Sequence, residues 1–330
     1  MSYVWTLAEQ FEGKLRGVSF ELLSRGKKLA EDLDTKLCSV LMGHNISDEA
    51  LEELIQRGAD EVYFVDDPRL ANFQNETYSN VLSDLIKQYS PHVVLAAATT
   101  IGRVVMPFVA IQVDTGLTAD CTQLEIHPET KLLLQTRPAI GGNIMATIKT
   151  PDHMPQMATV RPKSSRPFEK DPSRSGKIMR IALKDELVDT RAQVLEFRTD
   201  DAGFVNLEEA DVVVAGGKGL KRADNVKIVD DLAKQLDGVV GASRQAIDRG
   251  WLSYPHQVGL SGKTISATLL VTAGISGSIQ FLAGIKTCEN IVAINADGDA
   301  NIFGVSDFGI VGDLFEVLPL LTQKLAQAKK

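Results

Sequence analysis

Single helical patterns separate the apolar strand-like runs in this chain, and that alternation constrains its fold more than any other feature. In the first half, the apolar runs lie at residues 3–9, 36–43, 61–66 and 92–100. Strands joined by single helices form right-handed βαβ units, whose strands are parallel. The pattern therefore predicts an α/β fold built on a parallel sheet.

Beyond residue 118 the pattern changes and then returns. Polar and apolar residues alternate around the turn signals "HPET" and "IGGN", which predicts antiparallel strands added to the sheet, and residues 155–162 and 177–184 continue in the same style. A second strand–helix series begins near residue 210. We expect two domains: residues 1–205, an N-terminal parallel sheet with added antiparallel strands, and residues 206–330, a C-terminal doubly wound domain.

Charge and composition exclude several classes of protein. The net charge of −8 argues against a nucleic-acid or anionic membrane surface. The longest apolar runs are too short to cross a bilayer, and no secretory pattern is visible at the N-terminus. The 3 cysteines are scattered, so we expect no disulfide framework, no metal site and a cytoplasmic location. The basic segment at 161–177 reads as an exposed loop, with a docking patch for an acidic partner as the alternative.

Glycine-rich loops follow the strands of the second half. They have the sequences "AGGKG", "GASR", "GLSG", "GISGS" and "AINADGDA". In a parallel sheet such loops gather at the carboxyl edge of the strands, where ligands bind and phosphates meet helix N-termini. "AGGKGLKRAD" lacks the third glycine of the dinucleotide fingerprint, which disfavours a standard NAD-binding domain.

An ordered set of motifs resembles one known family. "VVVAGGKGL", "VVGASRQAIDRGW", "HQVGLSGKTI", "AGISGSIQFLAGI" and "IFGVSDFGIVGDLFEVLPLL" are similar to the FAD-binding domain of the electron transfer flavoprotein α subunit. "AEQFEGKL", "TGLTADCTQL" and "PQMATVRP" resemble the bacterial members of that family. The resemblance implies a nucleotide-hydrolase-like N-terminal domain that contacts a β subunit, and one non-covalent FAD held by the C-terminal domain.

The resemblance also implies a set of site residues and no metal ligand. Arg244, Ser261 and Phe281 stand at positions that tune the flavin. Arg244 matches a guanidinium that stabilises an anionic semiquinone, and Ser261 matches a hydroxyl near flavin N5 or O4. The expected FAD contacts are Lys218, Ser243, Arg244, Gln257, Val258, Gly259, Leu260, Ser261, Gly274, Ser276, Gly277, Ser278, Ile279, Gln280, Phe281, Asn295, Asp313 and Leu314.

Three of these positions depart from the family's usual residues. Lys218 replaces a frequent Arg and loses the bidentate fork, while Leu260 replaces a frequent Gln. Phe281 replaces a frequent His near flavin N1 and the C2 carbonyl. A phenyl ring donates no hydrogen bond there, so we expect Phe281→His to raise the first reduction potential.

The function implied is electron transfer rather than stand-alone catalysis. Electrons would pass from an acyl-CoA dehydrogenase or a similar flavoenzyme, or from NADH, to an acceptor, through an α/β heterodimer. The N-terminal motifs favour the flavin-bifurcating group of the family. Two alternatives stay open at this point: an NAD-dependent oxidoreductase and a nucleotide-binding regulator without redox work.

Overall fold

The computed structural model describes residues 3–139, 144–196 and 206–328. The chain divides into two compact units, Met1–Glu196 and Phe197–Lys330. The expected boundary near residue 205 and the predicted "IGGN" turn at 140–143 both lie outside the described residues.

Unit 1 is built on a seven-stranded sheet flanked by four helices. Its strands are β1 Val4–Ala8, β2 Gln10–Phe11, β3 Lys14–Leu15, β4 Leu37–Gly43, β5 Glu61–Asp66, β6 Val93–Ala97, β7 Leu117–Cys121, β8 Gln123–Ile126, β9 Leu133–Pro138, β10 Met145–Ile148, β11 Gln156–Val160 and β12 Lys177–Ile181. Its helices are α1 Gly17–Asp32, α2 Asp48–Gln56, α3 Asn75–Tyr89 and α4 Thr100–Gln112. The large sheet has the order β12-β5-β4-β1-β6-β11-β7, and all its pairs are parallel.

Alternate residues of the central strands enter one of two apolar cores. On β1, Val4 joins the core beneath α1 and α2, whereas Trp5 and Leu7 join the core beneath α3 and α4. Ser47 caps α2 by accepting a hydrogen bond from the Ala50 N–H at 3.3 Å. A central parallel strand is buried on both faces, which explains the nearly continuous apolar runs in the sequence.

The predicted fold class is confirmed, but part of the predicted strand arrangement is wrong. β8, β9 and β10 are antiparallel as expected, yet they form a separate three-stranded sheet. β11 lies parallel between β6 and β7, and β12 lies parallel to β5 at the opposite edge. Their short apolar runs resemble hairpin strands locally, but their partners come from distant parts of the chain.

The basic segment 161–177 is fastened to the surface of unit 1. Arg161 pairs with Asp120 at 2.5 Å, and Arg174 pairs with Asp60 at 3.2 Å. Lys170 also forms an ion pair, with a carboxylate of α2 at 2.9 Å. Much of the segment is exposed, as predicted, but these pairs remove charges that a docking patch for an acidic partner would need.

Unit 2 is a five-stranded parallel sheet with helices on both faces. Its strands are β13 Val212–Gly216, β14 Val239–Ala242, β15 Leu269–Ala273, β16 Ile291–Asn295 and β17 Phe308–Val311. Its helices are α5 Val226–Gln235, α6 Arg244–Asp248, α7 Ile279–Ala283 and α8 Leu314–Ala328. The strand order is β14-β13-β15-β16-β17, with every pair parallel. α5 and α8 cover one face, while Phe281 of α7 packs in the core of the other.

Candidate functional site

The strand order of unit 2 reverses beside β13. The chain runs from β13 to β14 on one side of it and then returns to β15 on the other side. Loops that leave such neighbouring strands in opposite directions open a crevice at the carboxyl edge of the sheet, which is the usual ligand position in α/β folds.

Unit 1 has a comparable reversal of strand order beside β1, but side chains of unit 1 itself occupy the carboxyl edge of the sheet there. The side chain of Glu9, directly after β1, is 1% exposed and pairs with Arg16 at 3.0 Å. The Thr99 hydroxyl, after β6, donates to the other Glu9 carboxylate oxygen at 2.5 Å. The described residues of this edge thus satisfy one another, and unit 2 carries the better candidate for a ligand site.

Three glycines lie on the loops at this strand reversal, two after β13 and one after β15. The N–H of Gly217 donates to the Ala273 carbonyl at 2.9 Å, and the N–H of Gly219 donates to the Gly274 carbonyl at 3.0 Å. A Cβ atom on Gly274 would lie only 2.7 Å from the Cα of Gly219. The two loops therefore touch through their backbones, and no side chain fits between them. Glycine at these positions leaves backbone groups accessible to a ligand at the sheet edge.

The loop after β15 folds into a tight turn that ends at α7. Gly274 and Gly277 have φ values of +62° and +84°, which side-chain-bearing residues rarely adopt. The hydroxyl of Ser278 accepts from the Phe281 N–H at 3.4 Å and caps α7. The predicted contact residues Ser276 to Gln280, apart from Gly277, are exposed on this turn. They are available to a ligand.

A second turn, at residues 257–262, lies beside the first. The Leu260 N–H donates to the Gln280 carbonyl at 2.9 Å, and the Val258 N–H donates to the Ala242 carbonyl at the end of β14 at 2.9 Å. The structure thus brings together two groups of predicted contacts that lie far apart in the sequence. Leu260 and Ser261 are exposed, while the Gln257 side chain turns inward and bonds the Ser261 hydroxyl at 3.0 Å.

Two predicted cations stand on loops of this edge. Lys218 begins the short turn after β13 and is exposed. Arg244 begins α6, and the preceding Ser243 N–H donates to the Gly216 carbonyl at 3.0 Å. The Arg244 side chain is 69% exposed and lies 3.4 Å from Asp248. Such an exposed pair, one helical turn apart, contributes only about 0.3–0.5 kcal/mol, so it does not hold Arg244 away from an anionic ligand.

The side chains of Asn295 and Asp313 form hydrogen bonds to the backbone of nearby loops. The Asn295 amide donates to the Ile275 carbonyl at 3.0 Å, and its oxygen accepts from the Asp297 N–H at 3.0 Å. The Asp313 carboxylate accepts from the Phe315 N–H at 2.9 Å at the start of α8. Both residues lie at the carboxyl edge, as the resemblance implies, and each also has a structural role.

Three of the predicted contact residues with apolar side chains are buried beneath the edge. Val258, Phe281 and Leu314 are 2%, 4% and 5% exposed and belong to the apolar cores of unit 2. Their side chains support the loops from below and offer little surface to a ligand. The burial of Phe281 has a simple cause: a phenyl ring gains more from the core than from the solvent-facing edge.

The residues of this edge fit a ligand that carries a diphosphate. Lys218 and Arg244 supply positive charge, Ser261 and Ser276 supply hydroxyls, and the glycine pair gives close backbone approach. Sequence reasoning noted the "AGGKG" loop but did not single out Gly217 or Gly219. The signal for them was the glycine directly after an apolar strand.

Two family profiles match the chain. The electron transfer flavoprotein domain matches residues 4–186, and the electron transfer flavoprotein FAD-binding domain matches residues 206–286. The chain belongs to the electron transfer flavoprotein family. FAD is therefore the cofactor of unit 2, which agrees with the donor set at its carboxyl edge.

Full-length relatives support this membership. The α subunit of the electron transfer flavoprotein of Thermoanaerobacterium thermosaccharolyticum is 47% identical over 99% of this chain and 98% of its own length. The α subunit from Megasphaera elsdenii is 44% identical over 99% of this chain and 97% of its own length. Subunit LctC of the lactate dehydrogenase (NAD(+),ferredoxin) of Acetobacterium woodii is 39% identical over 95% of this chain and 74% of its own length.

The overlap with solved structures is weak. A thiamin diphosphate-dependent enzyme from Mycobacterium smegmatis overlaps with a TM-score of 0.24 at 12% identity, over 92% of this chain and 53% of its own length.

Within the described part of the chain, no helix is both long and apolar enough to span a membrane. The same residues contain no group of 3 or more His, Cys, Asp or Glu side chains placed to hold a metal ion.

Proposed function

We propose that this chain is the α subunit of an α/β heterodimer that carries electrons on its FAD. The donor is an acyl-CoA dehydrogenase or a similar flavoenzyme, or NADH, and an acceptor protein receives the electrons. The observation that carries the proposal is the pair of glycine loops at the strand reversal of unit 2, where Gly219 and Gly274 meet through their backbones.

Bound FAD supplies the redox chemistry, and residues of the chain hold it in place. Lys218 lies on the first loop of the sheet edge and would neutralise charge on the diphosphate. Arg244 would supply a guanidinium to the ring system, where a positive charge favours added electron density. Ser261 supplies a hydroxyl at the exposed end of its turn. This arrangement needs no nucleophile, since the bound flavin accepts and passes on electrons without a covalent bond to the chain.

We place the partner surface on unit 1. Val104, Phe108 and Ile111 form an exposed apolar stripe on α4, with Ile111 82% exposed. The His153 Nδ1–H donates to the Asp114 carbonyl at 2.9 Å, so the segment after β10 lies beside the end of α4. An exposed apolar stripe of this kind marks a protein interface. The β subunit is the occupant proposed here, because the relatives are named α subunits and thus function within a complex.

Flavin bifurcation is the second candidate. It is favoured by one relative, whose name couples NAD(+) and ferredoxin within a lactate dehydrogenase. A bifurcating complex needs a second flavin, which the β subunit would hold. Bifurcation would add a function to the complex and would leave the role of unit 2 unchanged.

The test is co-purification of the chain with its β subunit, followed by flavin extraction and identification. One FAD per heterodimer supports the carrier function, and two flavins support bifurcation. A visible spectrum recorded during stepwise anaerobic reduction then shows whether the bound flavin accepts electrons. A stable, correctly folded heterodimer that is colourless and cannot be reconstituted with FAD would overturn the proposal and favour a nucleotide-binding regulator.

A further inference from the structure

The Gln257 side chain lies directly behind the exposed Ser261 hydroxyl. Its amide nitrogen donates to Ser261 Oγ at 3.0 Å, while Gln257 as a whole is only 4% exposed. Gln257 therefore offers almost no surface of its own to a ligand. Whatever it contributes to the site passes through Ser261.

The position of Gln257 is fixed from several sides. Its N–H donates to the Tyr254 carbonyl at 2.9 Å, and its carbonyl accepts from the Lys263 N–H at 2.7 Å. A Cβ atom on Gly262 would lie 2.8 Å from the Gln257 side chain, so glycine there leaves room for it. The Ser261 backbone is held separately, since the Tyr254 hydroxyl donates to the Ser261 carbonyl at 3.0 Å.

The chemistry of a hydroxyl sets the consequence. A serine hydroxyl has one proton to donate and two lone pairs that accept. The Gln257 amide occupies a lone pair, so the hydroxyl proton must point to another acceptor. A hydroxyl that already accepts a hydrogen bond is also a stronger donor, because hydrogen bonds in a chain polarise one another.

We propose that Gln257 is a positioning residue that fixes the Ser261 hydroxyl as a hydrogen-bond donor toward the bound flavin. The inference rests on the proposed function, because it takes the flavin as the acceptor. It assigns Gln257 a role different from the direct FAD contact that the family resemblance implied. A hydrogen bond to the ring favours reduced flavin, since reduction increases the electron density on the ring's polar atoms.

The experiment reverses the polarity of this hydrogen bond in the purified α/β complex. Gln257→Glu replaces the donor with a carboxylate that accepts the Ser261 proton, and Gln257→Leu removes the donor without adding charge. Each is made with Ser261 intact and in a Ser261→Ala background. Tyr254→Phe is the control, because it releases only the backbone tether of Ser261. The readouts are the first one-electron potential, the visible band of the oxidised flavin and the FAD content.

With Ser261 intact, we expect Gln257→Glu to lower the ratio of reduced to oxidised flavin about tenfold, which corresponds to about 59 mV. Gln257→Leu has a smaller effect of the same sign, and the visible band shifts in both variants. In the Ser261→Ala background neither variant changes the potential further. A potential that falls equally in both backgrounds would show a direct charge effect and overturn the proposal. So would an unchanged potential in Gln257→Glu.

Two measurements distinguish a misfolded variant, a failure of the proposed function and a failure of the positioning role. Urea unfolding of each complex identifies a variant that does not fold, and Gln257→Glu or Gln257→Leu alone suffices if the other fails. The FAD content of the unmodified complex tests the proposed function itself. Normal FAD content with no coupling between residues 257 and 261 refutes only the positioning role.

Discussion

Gly219 and Gly274 come from loops after different strands, yet a Cβ atom on Gly219 would lie 2.6 Å from the Cα of Gly274. The Gly219 N–H also donates to the Gly274 carbonyl at 3.0 Å. Neither backbone can retreat without breaking this bond or moving β13 from β15. The contact fixes the spacing of the two loops beside which we place FAD.

We therefore expect Gly219→Ala to weaken FAD binding by at least tenfold, because the added methyl group separates the two loops. Flavin fluorescence titration of the deflavinated complex measures the affinity. Gly304→Ala is the matched control in the same unit, since nothing lies within 4 Å of a Cβ atom at that position. Equal affinity in the two variants would contradict the tight contact.

The charge on Arg244 sets a second prediction. Arg244→Ala should lower the first reduction potential, because a positive charge near the ring stabilises added electrons, and Arg244→Lys should retain part of the effect. Spectroelectrochemistry at low and high salt measures the first reduction potential of each variant. The fall in potential should be smaller at high salt, since the Arg244 side chain is 69% exposed and its charge is screened by salt.

Arg249→Ala controls for net charge. Arg249 is also exposed, and its guanidinium lies 5.6 Å from the centre of the Trp251 ring. The same fall in potential in this variant would mean that Arg244 acts only through the total charge of the unit.

Phe281→His combines a redox effect with a cost in stability. The family resemblance places residue 281 near flavin N1 and the C2 carbonyl. An imidazole that turns from the core toward the ligand edge would donate a hydrogen bond there that a phenyl ring cannot, so we expect a raised first reduction potential. The ring is 4% exposed in an apolar core, so the same change should lower the free energy of unfolding. Replacing Phe281 by Ala should cost about 3–5 kcal/mol. Urea unfolding and potentiometry give the two quantities.

Phe281→Leu separates the two effects. It keeps an apolar side chain and should lose stability without raising the potential. A potential unchanged or lowered in Phe281→His would contradict the redox part of the prediction.

Two of the cysteines should be inert in the folded protein. Burial raises the pKa of Cys38 and of Cys121 to about 12, and Glu61 adds to the effect at Cys38. The reactive thiolate is therefore almost absent at neutral pH. We expect iodoacetamide to modify Cys288 first, and the buried pair only after unfolding. Peptide mass spectrometry identifies the modified residues, and labelling of Cys38 before unfolding would contradict the prediction.

The same shifts make the protein less stable at alkaline pH. In the unfolded chain these thiols ionise near 9.0, well below their folded values of about 12. The folded state thus binds more protons in that window, and the free energy of unfolding falls as pH rises from about 9 toward 12. Urea titrations at several alkaline pH values measure the slope. Cys121→Ala should make the fall in the free energy of unfolding with rising pH less steep.

Local patterns predicted much of the fold. The strand and helix that contain Leu41 and Leu51 follow directly from apolar periodicity and a serine cap. The directions of β11 and β12 could not be predicted from local patterns, because a short apolar run such as "KIMRI" does not indicate which strand it pairs with. β12 pairs with β5, which lies more than a hundred residues earlier in the chain.

The site was partly visible in the sequence. The glycines and hydroxyls after each strand indicated the carboxyl edge, and the family resemblance supplied individual positions. The inward turn of Gln257 and the burial of Phe281 depend on packing between separate loops. Neither periodicity nor spacing contains that information.

The pairing of β12 with β5 has a consequence for how the protein is made. Until residue 181 has been synthesised, the outer edge of β5 has no partner, and a nascent chain on the ribosome presents an apolar strand with free backbone groups. Such edges recruit strands from other molecules. β12 is therefore the last strand of unit 1 to be synthesised, and it protects the exposed edge of β5. A chain truncated before β12 would keep that edge unpaired and would be prone to aggregation.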